Sequence, residues 1–218
     1  MKKVSLILSA VVMTAMMLSS CGGGASKEVS IGKQVWMSEN LNVNKFRNGD
    51  PIPETKTEEE WKKAGENGEP AWCYHKNNPD NGDRYGKLYN WYAVNDSRGL
   101  APVGYHIPSD AEWTILTDYL DLGLGGSMYT GYRMKSTSGW ISLNGDNESG
   151  FSGLPAGQRN SNGSFGGNGT STRWWSATEY LANPGNAWMR GLQNQNDVVE
   201  INIIGLYGWG LSVRCLKD

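Results

Sequence analysis

Three cysteines and two histidines are the side chains of this sequence best suited to act as nucleophiles, bases or metal ligands. The first cysteine, Cys21, closes the run LSSC at residues 18–21, which is typical of a bacterial lipobox. Residues 1–3 give a positive start, and residues 4–18 are apolar but too short to span a bilayer. An ordinary secretory signal with a chance cysteine is the alternative. The positive start, the length of the apolar segment and the small residues before Cys21 together favour attachment of a lipid, such as palmitate, to Cys21.

A lipid on Cys21 predicts how the chain is organised. Cleavage after a signal peptide at residues 1–20 leaves 198 residues (218 minus 20), enough for one domain with a sizeable core, with two small domains as the alternative. Residues 21–28 then form a flexible tether, and residues 29–218 form the domain. Two or more acyl chains give a stable anchor. We therefore expect a lipoprotein of the bacterial cell envelope, held at the outer membrane through its N-terminal lipid.

Cys73 and Cys215 are the remaining thiols once Cys21 is acylated. An exported protein lies in an oxidising compartment, where two such thiols commonly pair. The sequence therefore predicts a Cys73–Cys215 disulfide, and two buried free thiols are the alternative.

Enzyme chemistry has weak support in the sequence. The motifs HExxH and GxSxG are absent, and the two histidines, His75 and His106, stand far apart. His106 lies just before a helix start, where a structural hydrogen bond is the expected role. The pair Asp118 and Asp121 is typical of a helix surface, although a glycosidase pair with distant partners stays open. We predict no catalytic residue, no metal ligand and no cofactor.

The clearest structural element follows Pro108. Ser109 and Glu112 form a capping box, in which the serine hydroxyl and the glutamate carboxylate each accept a backbone N–H of the other residue. Trp113, Leu116 and Leu120 then recur at helical spacing, so they predict the buried face of a helix. Trp113 is predicted to be a core residue rather than a ligand contact.

Other segments predict short elements around that helix. Thr57 and Glu60 form a second capping box, for a helix that should end at Ala64 before Gly65. Residues 88–95 predict a further helix, and residues 160–172, rich in Ser, Asn and Gly, predict a surface loop. Strand-like patterns predict hairpins at residues 29–43 and 187–204, and a half-buried last strand at residues 211–216.

Composition adds two constraints. The chain has ten Trp and ten Tyr but only three Phe, so we expect many half-buried aromatic rings with a polar group at the surface. It also has 29 Gly, and six of these follow Asn, so we expect many tight turns. The net charge of −2 leaves no broad basic field for nucleic acid.

Several runs of the chain together resemble one family, the Fibrobacter succinogenes major paralogous domain. They follow in order as IGKQVWMSENLNV, FRNGDPIP, PAWCY, YGKLYNWYAVND, GYHIPSDAEW, ESGFSGLPAGQRN, WWSATE and GLSVRC. The resemblance runs from about residue 29 to the last residue. It implies an α+β domain of the C-type lectin-like or formylglycine-generating-enzyme-like kind, with two main helices, small antiparallel sheets and long irregular loops. It implies no particular chemistry.

A binding module is therefore the function we expect. The recognition surface is predicted between the runs WWSATE (residues 174–179) and GLSVRC (residues 210–215), which are expected to belong to the core framework. The aromatic and amide side chains between them suit a glycan or a protein ligand. Its predicted members are Trp188, Arg190, Gln193, Asn194, Asn196, Glu200, Asn202, Tyr207 and Trp209. Trp188 and Trp209 as core residues of the sheet are the alternative for those two positions. A structural envelope lipoprotein without a small ligand, and a hydrolase or oxidase of the formylglycine-generating-enzyme-like fold, are the other functions left open.

Overall fold

The computed structural model describes residues 27–124 and 127–218. The predicted signal peptide, the lipid-attachment residue Cys21 and most of the predicted tether lie outside the described residues. In the part of the chain that is described, no helix has both the length and the apolar character needed to cross a membrane.

A small sheet joins the two ends of the domain. Strands β1 (Glu28–Ile31) and β2 (Gln34–Met37) form the predicted N-terminal hairpin, in which Gly32 takes a positive φ at the turn. The last strand of the chain pairs with β2 and with a short strand that precedes the longest helix, so the sheet has four strands. These two strands are Leu216–Lys217 (β11) and Tyr105–His106 (β5). A separate two-stranded sheet is built from Trp72–Cys73 (β3) and Leu88–Tyr89 (β4).

A five-stranded sheet forms the centre of the domain. Its strands in chain order are Ala156–Arg159 (β6), Phe165–Asn168 (β7), Ser171–Glu179 (β8), Asn186–Gln193 (β9) and Glu200–Leu206 (β10). Their order across the sheet is β10-β9-β8-β6-β7. The pair β6–β8 is parallel and the other pairs are antiparallel. The hairpin predicted near the C-terminus is thus present as β9–β10.

Two helices dominate the helical part of the chain, and each begins at a predicted capping box. The helices are Glu58–Asn67 (α1), Asp80–Tyr85 (α2), Trp91–Val94 (α3), Asp110–Leu124 (α4) and Thr130–Met134 (α5). Thr57 caps α1 together with Glu60, and Ser109 caps α4 together with Glu112. The combination of helices and sheets confirms the α+β prediction.

The central sheet has a hydrophobic core on each face, because successive side chains of a strand point to opposite sides. Trp174 contributes to a helix-side cluster, whose other buried members are Ile31, Trp36, Trp113, Leu116, Leu120, Met134, Trp140, Phe151, Leu192 and Leu216. Trp175 contributes to a loop-side cluster, which includes Tyr89, Trp91, Met189, Leu211 and Cys215 among its buried members.

Several finer predictions from the sequence are wrong. Helix α1 continues to Asn67 and stops at Gly68, whose φ of 70° suits glycine, rather than stopping at Gly65. The helix predicted over residues 88–95 is a two-residue strand followed by the four-residue α3. Residues 160–172 contain β7, although their composition predicts only a loop. The last segment is not half-buried, since Ser212 and Arg214 are as buried as their apolar neighbours.

Candidate functional site

The predicted recognition surface does not form one exposed patch. Arg190 is only 2% exposed and points from β9 towards α4, where its guanidinium forms an ion pair with Asp110 and donates to the Thr114 hydroxyl. The ion pair of this buried arginine joins β9 to α4. The prediction that Arg190 is exposed is therefore wrong.

Tyr207 and Trp209 are half-buried residues that pack against the loop-side cluster. The ring of Tyr207 is stacked on that of Trp91, with centroids 4.2 Å apart and planes 15° apart. Its hydroxyl donates to the Glu179 carboxylate, and burial together with this carboxylate raises the pKa of Tyr207. One face of each side chain therefore packs on the loop-side cluster, and only the other face is open to solvent.

The other predicted members lie along the hairpin and its turn. Trp188 is half-buried and meets Tyr180 edge to face at 4.8 Å. Gln193 donates to the Glu200 carboxylate across the hairpin, so these two are in direct contact. The hairpin turn is held from elsewhere, since Asn194 is hydrogen-bonded to Ser142 and the Asn196 carbonyl accepts from Lys135. The side chain of Asn202 lies outside the described residues.

A surface cleft of about 340 Å³ opens at the end of β10, and we call it the tyrosine cleft. It is lined by Lys62, Gly65, Glu66, Tyr92, Ser161, Asn162, Gly185, Leu206, Tyr207 and Gly208. Tyr92 meets Tyr207 edge to face at 5.7 Å, and Leu206 is 46% exposed. Apolar surface is therefore placed among amide, hydroxyl and charged groups, which is the usual composition of a small-molecule site.

Close packing between α1 and the chain after β10 builds this cleft. A Cβ added to Gly65 would lie 3.3 Å from the Gly208 Cα, so the two backbones approach closely because both residues are glycines. The Trp61 indole donates to the Gly208 carbonyl at 2.8 Å and fixes the approach. Of the predicted binding residues only Tyr207 lines the cleft. The contribution of α1 could not be read from the sequence, because 147 residues separate Trp61 from Gly208.

Comparison with protein families gives one match, to the family described as the Fibrobacter succinogenes major domain, over residues 29–217. The chain belongs to this family. No curated protein and no solved structure matches it. The matched residues include the whole five-stranded sheet, the four-stranded sheet except Glu28, and all of the tyrosine cleft.

The thiols of this Fibrobacter succinogenes major domain are free in the structure. Cys73 lies with Trp61 and Leu88 in a third hydrophobic cluster, beneath α1, whereas Cys215 lies in the loop-side cluster. The predicted Cys73–Cys215 disulfide is therefore absent, and the two buried free thiols of the alternative are found. Burial raises the pKa of each thiol to about 12, so neither is poised as a nucleophile at neutral pH.

The two histidines occupy contrasting environments. His75 is buried edge to face with Phe165, and burial lowers its pKa to about 4. His106 lies between the Glu112 and Asp218 carboxylates, at 3.0 and 2.8 Å, so it links the C-terminus to the start of α4. The predicted structural role of His106 is confirmed. Among the described residues, no cluster of three or more His, Cys, Asp and Glu side chains is arranged to hold a metal ion.

Proposed function

We propose that this protein is a lipid-anchored binding protein of the bacterial cell envelope that recognises a glycan through the tyrosine cleft. The observation that carries the proposal is the composition of the cleft: the Tyr92, Leu206 and Tyr207 side chains lie beside amide, hydroxyl and charged groups. Sugar rings have apolar faces that suit aromatic and aliphatic surface, and hydroxyls that suit amides and charged groups. The proposed site thus lies at the C-terminal end of the β9–β10 hairpin, whereas the sequence predicted a surface along its whole length.

The C-type lectin-like fold is part of the same proposal. It is supported by two capped helices, small sheets and long irregular segments, which are the features that the family resemblance implies. Recognition by a loop-rich surface on a rigid sheet is a common use of such an arrangement.

Location is proposed from the sequence. The LSSC run at residues 18–21 supports acylation of Cys21 at the membrane, with residues 22–26 spacing the domain from the lipid. The predicted tether is two residues shorter than expected, because Lys27 and Glu28 belong to the folded domain. Metabolic labelling with a palmitate analogue tests this directly. The parent should incorporate label and sediment with membranes, and Cys21→Ser should do neither. Equal labelling of the two forms would contradict lipid attachment at Cys21.

Binding is tested by screening the purified domain against glycan arrays and isolated cell-surface polysaccharides. Tyr92→Ala should weaken binding of any hit about tenfold or more, since a ring at the centre of a site commonly contributes over ~1.4 kcal/mol. Leu206→Ala should weaken it in the same direction. Ile201→Ala is the matched control, because Ile201 lies on the same strand, is similarly exposed (50% against 46%) and does not line the cleft.

Circular dichroism and thermal unfolding establish that each variant is folded. A folded Tyr92→Ala protein that keeps full affinity would exclude the tyrosine cleft as the glycan site. If the parent binds no glycan or polysaccharide, the structural envelope role becomes the better explanation.

A further inference from the structure

A second cavity, of about 560 Å³, lies where the chain leaves β2, beside α2 and residues 152–154. We call it the arginine pocket, because Arg214 forms part of its wall. It shares no lining residue with the tyrosine cleft. A ligand of the arginine pocket is therefore independent of the proposed glycan function of that cleft.

Arg214 is a buried cation without a carboxylate partner. Its side chain is 1% exposed, and the groups that accept from it are the Met37 and Phe151 carbonyls and the Asn40 amide oxygen. None of these acceptors carries a charge, and no ion pair found in residues 27–124 and 127–218 includes Arg214. The Phe151 ring also faces the guanidinium, whose Cζ atom lies 4.3 Å from the ring centroid. Carbonyl, amide and ring partners compensate a buried charge less than an anion does.

The hydrogen-bond count leaves Arg214 able to bind one more acceptor. The guanidinium has five N–H groups and makes four hydrogen bonds, two through Nη1, one through Nε and one through Nη2. The second N–H of Nη2 therefore has no acceptor among the described residues. Asn40 cannot supply one, since its amide oxygen already accepts from the Trp174 indole and twice from Arg214.

Charges on the rim limit what the pocket can accept. Lys27 and Glu39 neutralise each other in an ion pair at 2.7 Å. Arg84 and Asp83 are exposed and of opposite charge, so Arg214 leaves the lining with a net charge of +1. A ligand with a negative group is therefore attracted, and one negative charge is enough to neutralise the lining.

Polar side chains set the rest of the ligand. Ser38, Asn42 and Ser152 line the pocket together with the two carboxylates, and Leu154 is the only large apolar side chain of the lining. These groups exchange hydrogen bonds with hydroxyls. The volume lies within the usual range of roughly 300–1,000 Å³ for small-ligand sites. We propose that the arginine pocket binds a hydroxylated monocarboxylate of the sugar-acid kind, with its carboxylate directed at the free N–H of Arg214.

The Trp174 indole gives a direct readout, because it donates at 2.8 Å to the same Asn40 oxygen that accepts from Arg214. Its ¹H–¹⁵N signal can be assigned from a Trp174→Phe spectrum and then followed during titration with glucuronate. We expect a saturable shift with glucuronate and an affinity about tenfold lower for glucose, which lacks the carboxylate. An equal response to the two sugars, or none to either, would overturn the proposal.

Two rim variants place the anion in this pocket. Arg84→Gln and Asp83→Asn remove charges of opposite sign from adjacent, exposed positions of α2. A general disturbance of α2 should therefore change the affinity in the same direction in both variants. Affinity for glucuronate should fall several-fold in Arg84→Gln and rise in Asp83→Asn, because the charge near the carboxylate changes in opposite senses. Changes in the same direction, or no change in either variant, would show that glucuronate binds elsewhere and would overturn the proposal.

Discussion

Trp174 and Trp175 are neighbours in the sequence and lie on opposite faces of the central sheet, each in a different hydrophobic cluster. Both indoles are fully buried, and each donates a 2.8 Å hydrogen bond, from Trp174 to Asn40 and from Trp175 to the Tyr89 carbonyl. Strand β8 thus contacts Asn40, a lining residue of the arginine pocket, on one face and the loop-side cluster, on which Tyr207 packs, on the other.

The helix-side cluster depends on Trp113, whose ring centroid lies 4.8 Å from that of Trp36. Trp113 is 0% exposed, so the predicted core position is confirmed. We expect Trp113→Ala to lower the free energy of unfolding by about 3–5 kcal/mol, because it leaves a large cavity. Chemical denaturation measures this loss. Ile115→Ala, at a position 53% exposed on the same helix, should stay within about 0.5 kcal/mol of the parent.

The ion pair between Arg190 and Asp110 is expected to act on stability and not on recognition. Arg190→Ala removes a buried guanidinium but leaves a carboxylate that is still partly hydrated, with 29% of its side chain exposed. We therefore expect a loss of about 2–3 kcal/mol in the free energy of unfolding, below the full cost of breaking a fully buried pair.

Asp118→Ala serves as the control for Arg190→Ala, since Asp118 is an exposed acid on the same helix. It should leave the unfolding midpoint almost unchanged. An Arg190→Ala protein as stable as the parent, yet unable to bind a ligand that the parent binds, would restore Arg190 as a recognition residue.

The sequence predicted correctly those features that depend on residues close together in the chain. Both capping boxes are present, as is the turn at Gly32, because each depends on residues three or fewer positions apart. Strand β7 could not be predicted in this way, because its Gly-rich sequence has little strand propensity and it forms by pairing with β6.

The two cavities could not be predicted, because distant segments build them. Alternation in residues 211–216 predicted a half-buried strand, with Arg214 on the face opposite Cys215. Its guanidinium is instead held by Asn40, which lies 174 positions away, and by the Phe151 carbonyl. The tyrosine cleft likewise needs the contact of Gly65 with Gly208. Neither contact leaves a periodic signal in the sequence.

Cys73 and Cys215 are expected to be unreactive in the folded protein. Burial raises the pKa of each thiol to about 12, so the thiolate that reacts with iodoacetamide is scarce at neutral pH and shielded from the reagent. Peptide mapping should show both residues unmodified after native alkylation and both modified in guanidinium. Rapid labelling of the native protein, or a disulfide-linked peptide pair in the unreduced digest, would contradict the free buried thiols.

The pH dependence of stability should carry opposite contributions from the two histidines. The pKa of His75 falls from its ordinary value of 6.5 to about 4 on folding, because burial disfavours the charged ring. Between pH 6.5 and 4 the unfolded state therefore binds more protons than the folded state, and stability decreases as the pH falls. We expect a loss on the order of 2–3 kcal/mol over this window.

His106 should act in the opposite sense. Burial alone would lower its pKa, but the hydrogen bonds to Asp218 and Glu112 outweigh burial and raise it above 6.5. Its contribution is fully present below pH 6.5 and is lost as the pH rises through the folded-state pKa.

Urea denaturation across the pH range separates the two histidines. Relative to the parent, His75→Leu should be less sensitive to acid between about pH 6.5 and 4, since the buried ring that resists protonation is gone. His106→Gln should be less stable than the parent at about pH 6, and the difference should shrink as the pH rises, because the parent then loses the His106 charge. A His75→Leu protein with the parent's full acid sensitivity would show that the carboxylates, and not His75, set the slope in that window.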